Sequence, residues 1–285
     1  MSNLRIIALT LLAMMAFAGN SLLCRIALKA TTIDAASFTA IRLLSGALML
    51  WLVVRIRRAR GGTLAVGSGN WLSALALFGY AAGFSFAYVS LPAATGALLL
   101  FGAVQATMIG YGIWSGERLA RQQLAGLVLA GAGVVGLMLP GLAAPPLAGA
   151  ALMLAAGAAW GIYSIRGKRA GDPTQVTAGN FLRAVPVALA LSALMWQHSV
   201  VDSAGVGYAL ASGALASGIG YAIWYTALPL LKATNAATVQ LSVPVIAALG
   251  GVLFLGEAIT PRLLLASGAI LGGIALVILG KQAAQ

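Results

Sequence analysis

Ala236-Ala-Thr-Val-Gln-Leu-Ser-Val-Pro-Val-Ile-Ala-Ala-Leu-Gly-Gly-Val-Leu-Phe-Leu-Gly-Glu257 is an apolar run long enough to cross a bilayer, closed by Gly-Glu. About 20 apolar residues in a helix span the roughly 30 Å of hydrocarbon. A short polar turn follows, then a last helix rich in Gly and Leu that ends at Gly280. The same order occurs earlier in the chain. Pro92-Ala-Ala-Thr95 opens an apolar run to Gly116-Glu117-Arg118, and a Gly-rich apolar helix then ends at Pro140. If each half holds an odd number of spans, the halves insert upside down relative to one another. That is the inverted-repeat plan of a secondary transporter.

Composition supports a membrane chain. Of 285 residues 61% are hydrophobic and 8% charged, with 36 glycines and a mean hydropathy of +0.99. A soluble domain carries about 25% charged residues. Glycine and alanine instead suit membrane helices that approach closely. A net charge of +12 would suggest nucleic acid in a soluble protein. Here Arg and Lys sit in short loops between apolar runs, where they orient spans, so membrane lipids and a small-molecule substrate are the expected partners and nucleic acid is not. The single Cys24 excludes an intramolecular disulfide and a cysteine-based metal site; no metal and no cofactor are expected. Leu4 to Leu23 lacks a small-x-small cleavage site followed by a soluble domain and is expected to be retained.

The apolar runs predict ten spans, at 4–24, 35–54, 71–90, 94–115, 122–139, 147–165, 177–195, 206–228, 236–255 and 262–280. They divide into a five-helix repeat over 1–140, a linker over 141–146 and a second, inverted repeat over 147–285. The linker holds the uncharged Ala143-Ala-Pro-Pro146, whose Pro-Pro favours extended chain. One side of the membrane then receives Arg5, Arg55, Arg57, Arg58, Arg60, Arg118, Arg121, Arg166, Lys168, Arg169, Lys232 and Lys281. The other receives Arg25, Lys29 and Arg262, while Arg42 and Arg183 fall inside spans. The bias places both termini in the cytoplasm. Glu117 then lies on the cytoplasmic side and Glu257 on the outer side. Each is expected to end its span or brace the turn between adjacent helices, as a structural or gating residue, rather than touch substrate.

Tyr225-Thr-Ala-Leu-Pro229, Ala236-Ala-Thr-Val-Gln-Leu-Ser-Val-Pro-Val245 and Phe254-Leu-Gly-Glu-Ala258, set in two five-span halves, resemble the EamA family of the drug/metabolite transporter superfamily. The first half departs from the pattern. Val104-Gln105 stands where the Pro244-Val245 step falls, and Trp114-Ser-Gly-Glu117 replaces Phe-Leu-Gly-Glu. The resemblance covers nearly the whole chain. It implies a bacterial inner-membrane protein that exports amino acids or other small metabolites, with aromatic amino-acid exporters looking most alike. An arginine at the place of Arg42 is also implied by it.

In such a plan the substrate lies near the midplane between the halves. Candidate contacts are Phe17 and Asn20 in the first span, Tyr80 and Phe84 in the third, and Gln105 in the fourth. The second half offers Trp160 and Tyr163, Tyr221 and Trp224, and Gln240. Residues three or four apart share a helix face. Together they suit a partly apolar, ring-bearing or amphipathic substrate held by stacking and a few amide or hydroxyl contacts. Helix–helix contact is the competing role for Tyr80, Phe84 and Gln105. Trp51, Trp71, Trp114 and Trp196 are explained as interfacial anchors. Pro244 withdraws the donor that would bond the Gln240 carbonyl and so kinks its helix, as a substrate contact, a hinge or a static bend. Arg42 is assigned first to a structural role, with a substrate carboxylate as the alternative. Asn180 takes the matching place in the second half.

The five acidic residues, Asp34, Glu117, Asp172, Asp202 and Glu257, lie at or beyond span ends, so a carboxylate proton relay inside the bundle has no carrier. Proton coupling through a terminal Glu and downhill efflux both stay open. One His and one Cys make an enzyme a poor reading, and no Walker sequence is present. The expected mechanism is alternating access, with Gly79, Gly83, Gly213, Gly218 and Gly220 letting helices slide. The alternative is a broad-specificity multidrug or other metabolite efflux carrier of the same fold. A ten-span chain can hold a complete pathway, so a monomer or weak homo-oligomer is expected.

Overall fold

The computed structural model describes residues 3–59, 69–141, 144–167, 171–231 and 233–282. Arg60, Ala143, Lys168, Arg169 and Lys232, named above, lie outside them.

Among the described residues ten helices are long and apolar enough to cross a membrane. They are α1 Asn3–Ala30, α2 Ala35–Ala59, α3 Trp71–Tyr88, α4 Ala93–Trp114 and α5 Arg121–Met138. The second half continues with α6 Leu147–Gly167, α7 Pro173–Leu194, α8 Ser203–Leu230, α9 Ala236–Leu255 and α10 Pro261–Gln282. The protein is an all-α, multi-pass membrane protein. Polar caps set several of the starts: Asn70 accepts from the Ser73 amide before α3, Asp172 from Gln175 before α7, and Asp202 from Gly205 before α8.

Two spans are irregular in ways that matter below. In α8 the nine residues Ala211–Ile219 are π-helical, between ordinary turns at Ser203–Leu210 and Gly220–Ala227. In α9 the helix breaks at Leu241, three residues before Pro244, between a segment that ends at Gln240 and Ser242–Leu255. The break follows from the missing amide of Pro244. Several boundaries differ from the reading of the sequence: α2 runs on to Ala59, so Arg55 and Arg57 belong to a helix, and α7 starts already at Pro173. The first helix runs on to Ala30, so Arg25 and Lys29 belong to α1 and not to a loop. A helix can outlast its apolar window when its long cations reach polar partners near the membrane edge, and both do.

The helices pair across the halves. α1 packs on α8 and α9, and α6 packs on α3 and α4. α2 packs on α7 and α8, and α7 in turn packs on α3. α4 meets α9, and α5 lies along α10. Exchanging each helix with the one five places later turns this set of pairings into itself. The aromatic and polar residues considered next lie where α1, α2, α3, α6 and α8 meet.

Candidate functional site

The site is built around the phenol of Tyr80. Arg42 Nη2 donates to Tyr80 Oη at 3.0 Å, and Asn20 Nδ2 donates to the same oxygen at 3.3 Å. Asn20 Oδ1 accepts from Ser212 Oγ at 2.6 Å. Four side chains from α1, α2, α3 and α8 therefore form one buried chain of hydrogen bonds. The π-helical stretch allows this arrangement. It brings the Ser212-Gly213 turn flush against α2, where a Cβ on Gly213 would collide with Ser45 Oγ and the Arg42 carbonyl. Such π segments tend to occur at functional sites.

Rings surround this chain. Trp160 lies 4.7 Å from Tyr80, 5.2 Å from Tyr163 and 5.3 Å from Tyr221, centroid to centroid. Phe17 meets Tyr221 edge-on at 5.7 Å and Trp224 at 6.0 Å, and Phe84 lies 5.4 Å from Tyr80. Each such pair adds about 0.5–1.5 kcal/mol to the burial of its rings. The rings leave between them a cavity of about 30 Å³, room for a water or two. A substrate of any size requires them to part.

Of the ten predicted contacts, seven line this cleft: Phe17, Asn20, Tyr80, Phe84, Trp160, Tyr221 and Gln240. Three do not. Gln105 is buried beyond the cleft wall. Trp224 packs behind Phe17. Tyr163 backs Trp160 and turns its hydroxyl to Thr177, 3.3 Å away, while accepting from Asn180 Nδ2 at 3.4 Å. Sequence reasoning missed Ser21, Leu100, Phe101 and Ala216, which complete the wall. Phe101, one turn before Gln105 on α4, carried a usable signal; Leu100 and Ala216 carried none.

Asn180 joins helix ends. Its Oδ1 accepts the Asn70 amide at 2.9 Å just before α3. Arg42 differs from it in depth: Arg42 is 1% exposed, and its guanidinium carbon lies 5.2 Å from the Tyr80 ring centre and 4.8 Å from that of Phe84. Pro244 is buried at the break in α9, with Gln240 at the end of the preceding segment.

At the end of the bundle where α1 finishes, Arg25 and Glu257 form an ion pair at 3.1 Å, their side chains 11% and 9% exposed. Arg25 Nη1 also donates to the carbonyls of Tyr88 and Val89 as α3 finishes, at 2.9 and 3.0 Å. Glu257 Oε2 accepts the Ala93 amide at the start of α4, at 2.7 Å. One pair of charges thus holds the ends of α1, α3, α4 and α9. Beyond the spans Asp202 ties α8 to Thr32, accepting from its amide and hydroxyl. The Gly205 amide, joined by Thr32, holds the Asp202 carboxyl below the usual carboxylate range. Among the described residues no three His, Cys, Asp or Glu gather to hold a metal ion.

A buried polar core thus sits inside an aromatic cleft between membrane helices. An uncharacterised protein of Pseudomonas aeruginosa is 57% identical over 288 residues, spanning 100% of this chain and 99% of that one. The threonine/homoserine exporter RhtA of Escherichia coli K12 is 38% identical over 130 residues, 43% of this chain and 42% of its own length. A solved crystal structure at 21% identity superposes with a TM-score of 0.66 over 95% of this chain and 98% of its own, which speaks to the fold. The EamA-like transporter family matches residues 147–279. With ten membrane-crossing helices, the Gly-Glu turns and these relatives, the chain belongs to the EamA-like transporter family.

Proposed function

We propose that this protein is a secondary transporter that exports small metabolites, amino acids first among them, across the bacterial inner membrane by alternating access. The observation that carries the reading is the cleft itself, where rings from both halves close around one amide–phenol–guanidinium chain. Rings with a few fixed polar groups suit a neutral or aromatic amino acid. The exporter of threonine and homoserine among the relatives supports the amino-acid class.

Two five-helix units, 1–140 and 147–285 with 141–146 between them, form inverted repeats on this reading. Two features support it: the pairing of helices survives exchange of the halves, and the family match begins at Leu147. The excess of Arg and Lys on one side orients both termini to the cytoplasm. In the mechanism the helices around the cleft rock as two groups. The break at Leu241 and the π-helical stretch of α8 supply weak points where helices bend. Parting of Trp160 from Tyr80 and Tyr221 makes room for substrate, and the Arg25–Glu257 pair closes the end of the bundle that faces outward.

Exchange of radiolabelled Phe, Tyr, Trp and Thr by proteoliposomes, with and without a pH gradient, tests the reading. Saturable counterflow is expected, and Trp160→Ala is expected to lower it by at least about tenfold through loss of ring contacts. Folded protein that moves none of them above empty liposomes sinks the amino-acid assignment and turns the search to amphipathic drugs, which the same rings would accept.

A further inference from the structure

We infer that Arg42 recognises a carboxylate, so that the substrates of this cleft are singly charged carboxylates or amino-acid zwitterions and not cations. The inference deepens the transport reading and rests on it for the location of the substrate.

Arg42 is 1% exposed, deep in α2. Only Nη2 is used, in the bond to Tyr80. Its Nε and Nη1 have no hydrogen-bond partner among the described residues. Guanidinium stays protonated at any working pH, so these are donor groups on a permanent buried charge. A buried charge without an opposite charge is among the costliest things a membrane bundle can hold. The acidic residues offer no relief. Asp34, Asp172 and Asp202 cap helix starts, and Glu257 is engaged by Arg25 and the Ala93 amide. Glu117 sits in an exposed turn at a helix end. The faces of Tyr80 and Phe84 offset the charge only in part.

The site therefore lacks one negative charge, and its surroundings say which kind. The donors left for a ligand are Arg42 Nε and Nη1, together with the Tyr80 hydroxyl. Tyr80 Oη already accepts from both Arg42 and Asn20, which leaves its own O–H to donate. Nε and Nη1 diverge, but the Nη2 hydrogen that Tyr80 does not take makes a planar fork with whichever of them it faces, and such a fork beside a hydroxyl matches a carboxylate. Among the described residues no second cation joins Arg42 in the hydrogen-bonded group or the cleft lining, so one negative charge is balanced and a phosphate dianion is not. The position also fits. Tyr80 and Phe84 line the cleft, and the guanidinium rests over both rings, one side chain behind the wall. When the rings part to admit a substrate, its carboxylate meets Arg42 while its side chain takes the space among Phe17, Trp160 and Tyr221.

The test compares matched ligands on wild type, Arg42→Gln, Arg42→Lys and Tyr80→Phe. Phenylalanine, phenylalaninamide and 3-phenylpropionate compete against whichever labelled amino acid wild type exchanges. Wild type is expected to be inhibited by phenylalanine and phenylpropionate, and not by the amide at about a hundredfold excess. Arg42→Gln is expected to lose at least about tenfold in affinity for the acids and to bring acid and amide within about threefold of each other. Arg42→Lys keeps the preference for the acid with weaker binding, and Tyr80→Phe loses a few-fold without changing the preference. Folded Arg42→Gln that discriminates like wild type overturns the inference, and so does a wild type that accepts the amide as well as the acid. If Arg42→Gln does not fold, the wild-type series and Arg42→Lys decide on the same criteria. If wild type exchanges no amino acid, the transport reading falls by itself. Arg42 is then judged by heat denaturation: phenylpropionate and not the amide must raise the unfolding temperature of wild type and leave Arg42→Lys less protected. Equal or absent protection overturns the inference.

Discussion

Gly116-Glu117 and Gly256-Glu257 share their local geometry and differ in everything beyond it. Both glycines have positive φ, +92° and +62°, the left-handed conformation that ends a helix and favours glycine. Both glutamate amides return to a helix carbonyl, Glu117 to Gly112 at 2.9 Å and Glu257 to Gly251 at 3.0 Å. Both carboxylates fold back over that same glycine, so that a Cβ there would lie 3.0 Å from Glu117 Oε2 or 2.8 Å from Glu257 Oε2. Glu257 then meets Arg25 and the start of α4, whereas Glu117 stays in an exposed turn. At the end that carries Glu117, arginines of two helices donate to uncharged side chains of their neighbours. Arg57 donates to Thr174 and Thr226, and Arg166 to Ser73 and Asn70. A short motif specifies a turn; how deeply its neighbours bury that turn decides how much its charge matters.

The sharpest way to break this comparison is to neutralise each glutamate. Glu257→Gln leaves Arg25 largely buried without its counter-charge and is expected to cost about 3 kcal/mol, read as a fall in unfolding temperature in detergent. Glu117→Gln is expected to cost no more than about 1 kcal/mol, in line with exposed charges. Equal losses would mean that the two turns do the same work. Adding a methyl group beneath each carboxylate follows in size. Gly251→Ala pushes against a carboxylate held by two partners and is expected to cost about 1–3 kcal/mol, while Gly112→Ala moves an exposed side-chain tip and costs less. Among the arginine contacts at the Glu117 end, Arg166→Gln is expected to remove about 1 kcal/mol, and thermal unfolding of the variant measures it.

The smallest effect concerns Asp202, at the same end as Glu257. Its folded pKa is depressed below the ordinary value of about 3.9. The stability it adds is therefore present above that value and lost as pH falls through the lower, folded one. Wild type should lose slightly more unfolding temperature than Asp202→Asn as the medium is acidified through that range, since Asn still caps the helix but does not titrate. Parallel curves would remove any role for the charge.

How much of this was legible in the chain follows the same division. The seven residues that line the cleft stood out in the chain because a polar or large aromatic side chain deep in a span has few reasons to be there. Gln105, Tyr163 and Trp224 satisfy the same criterion and lie off the cleft, Tyr163 against Thr177 and Trp224 against Phe17. Arg25 looked like a loop charge and is the partner of Glu257 in the ion pair. The π-helical stretch of α8, with Ser212 and Gly213 against Asn20 and Arg42, had no sequence sign beyond its small residues.

What the chain determined by itself is local: ten apolar runs of bilayer length, glycines and prolines that end them, and two Gly-Glu turns. Hydrocarbon demands that every span satisfy its own backbone, so helices can be counted one at a time. What only the tertiary structure decided is which face of each helix looks inward. These helices are apolar nearly all round, so no polar stripe marks an outer face and no periodicity marks an inner one. Contact between helices sets that rotation, and with it the company of Tyr80, the ion pair at Glu257 and the orphaned charge of Arg42.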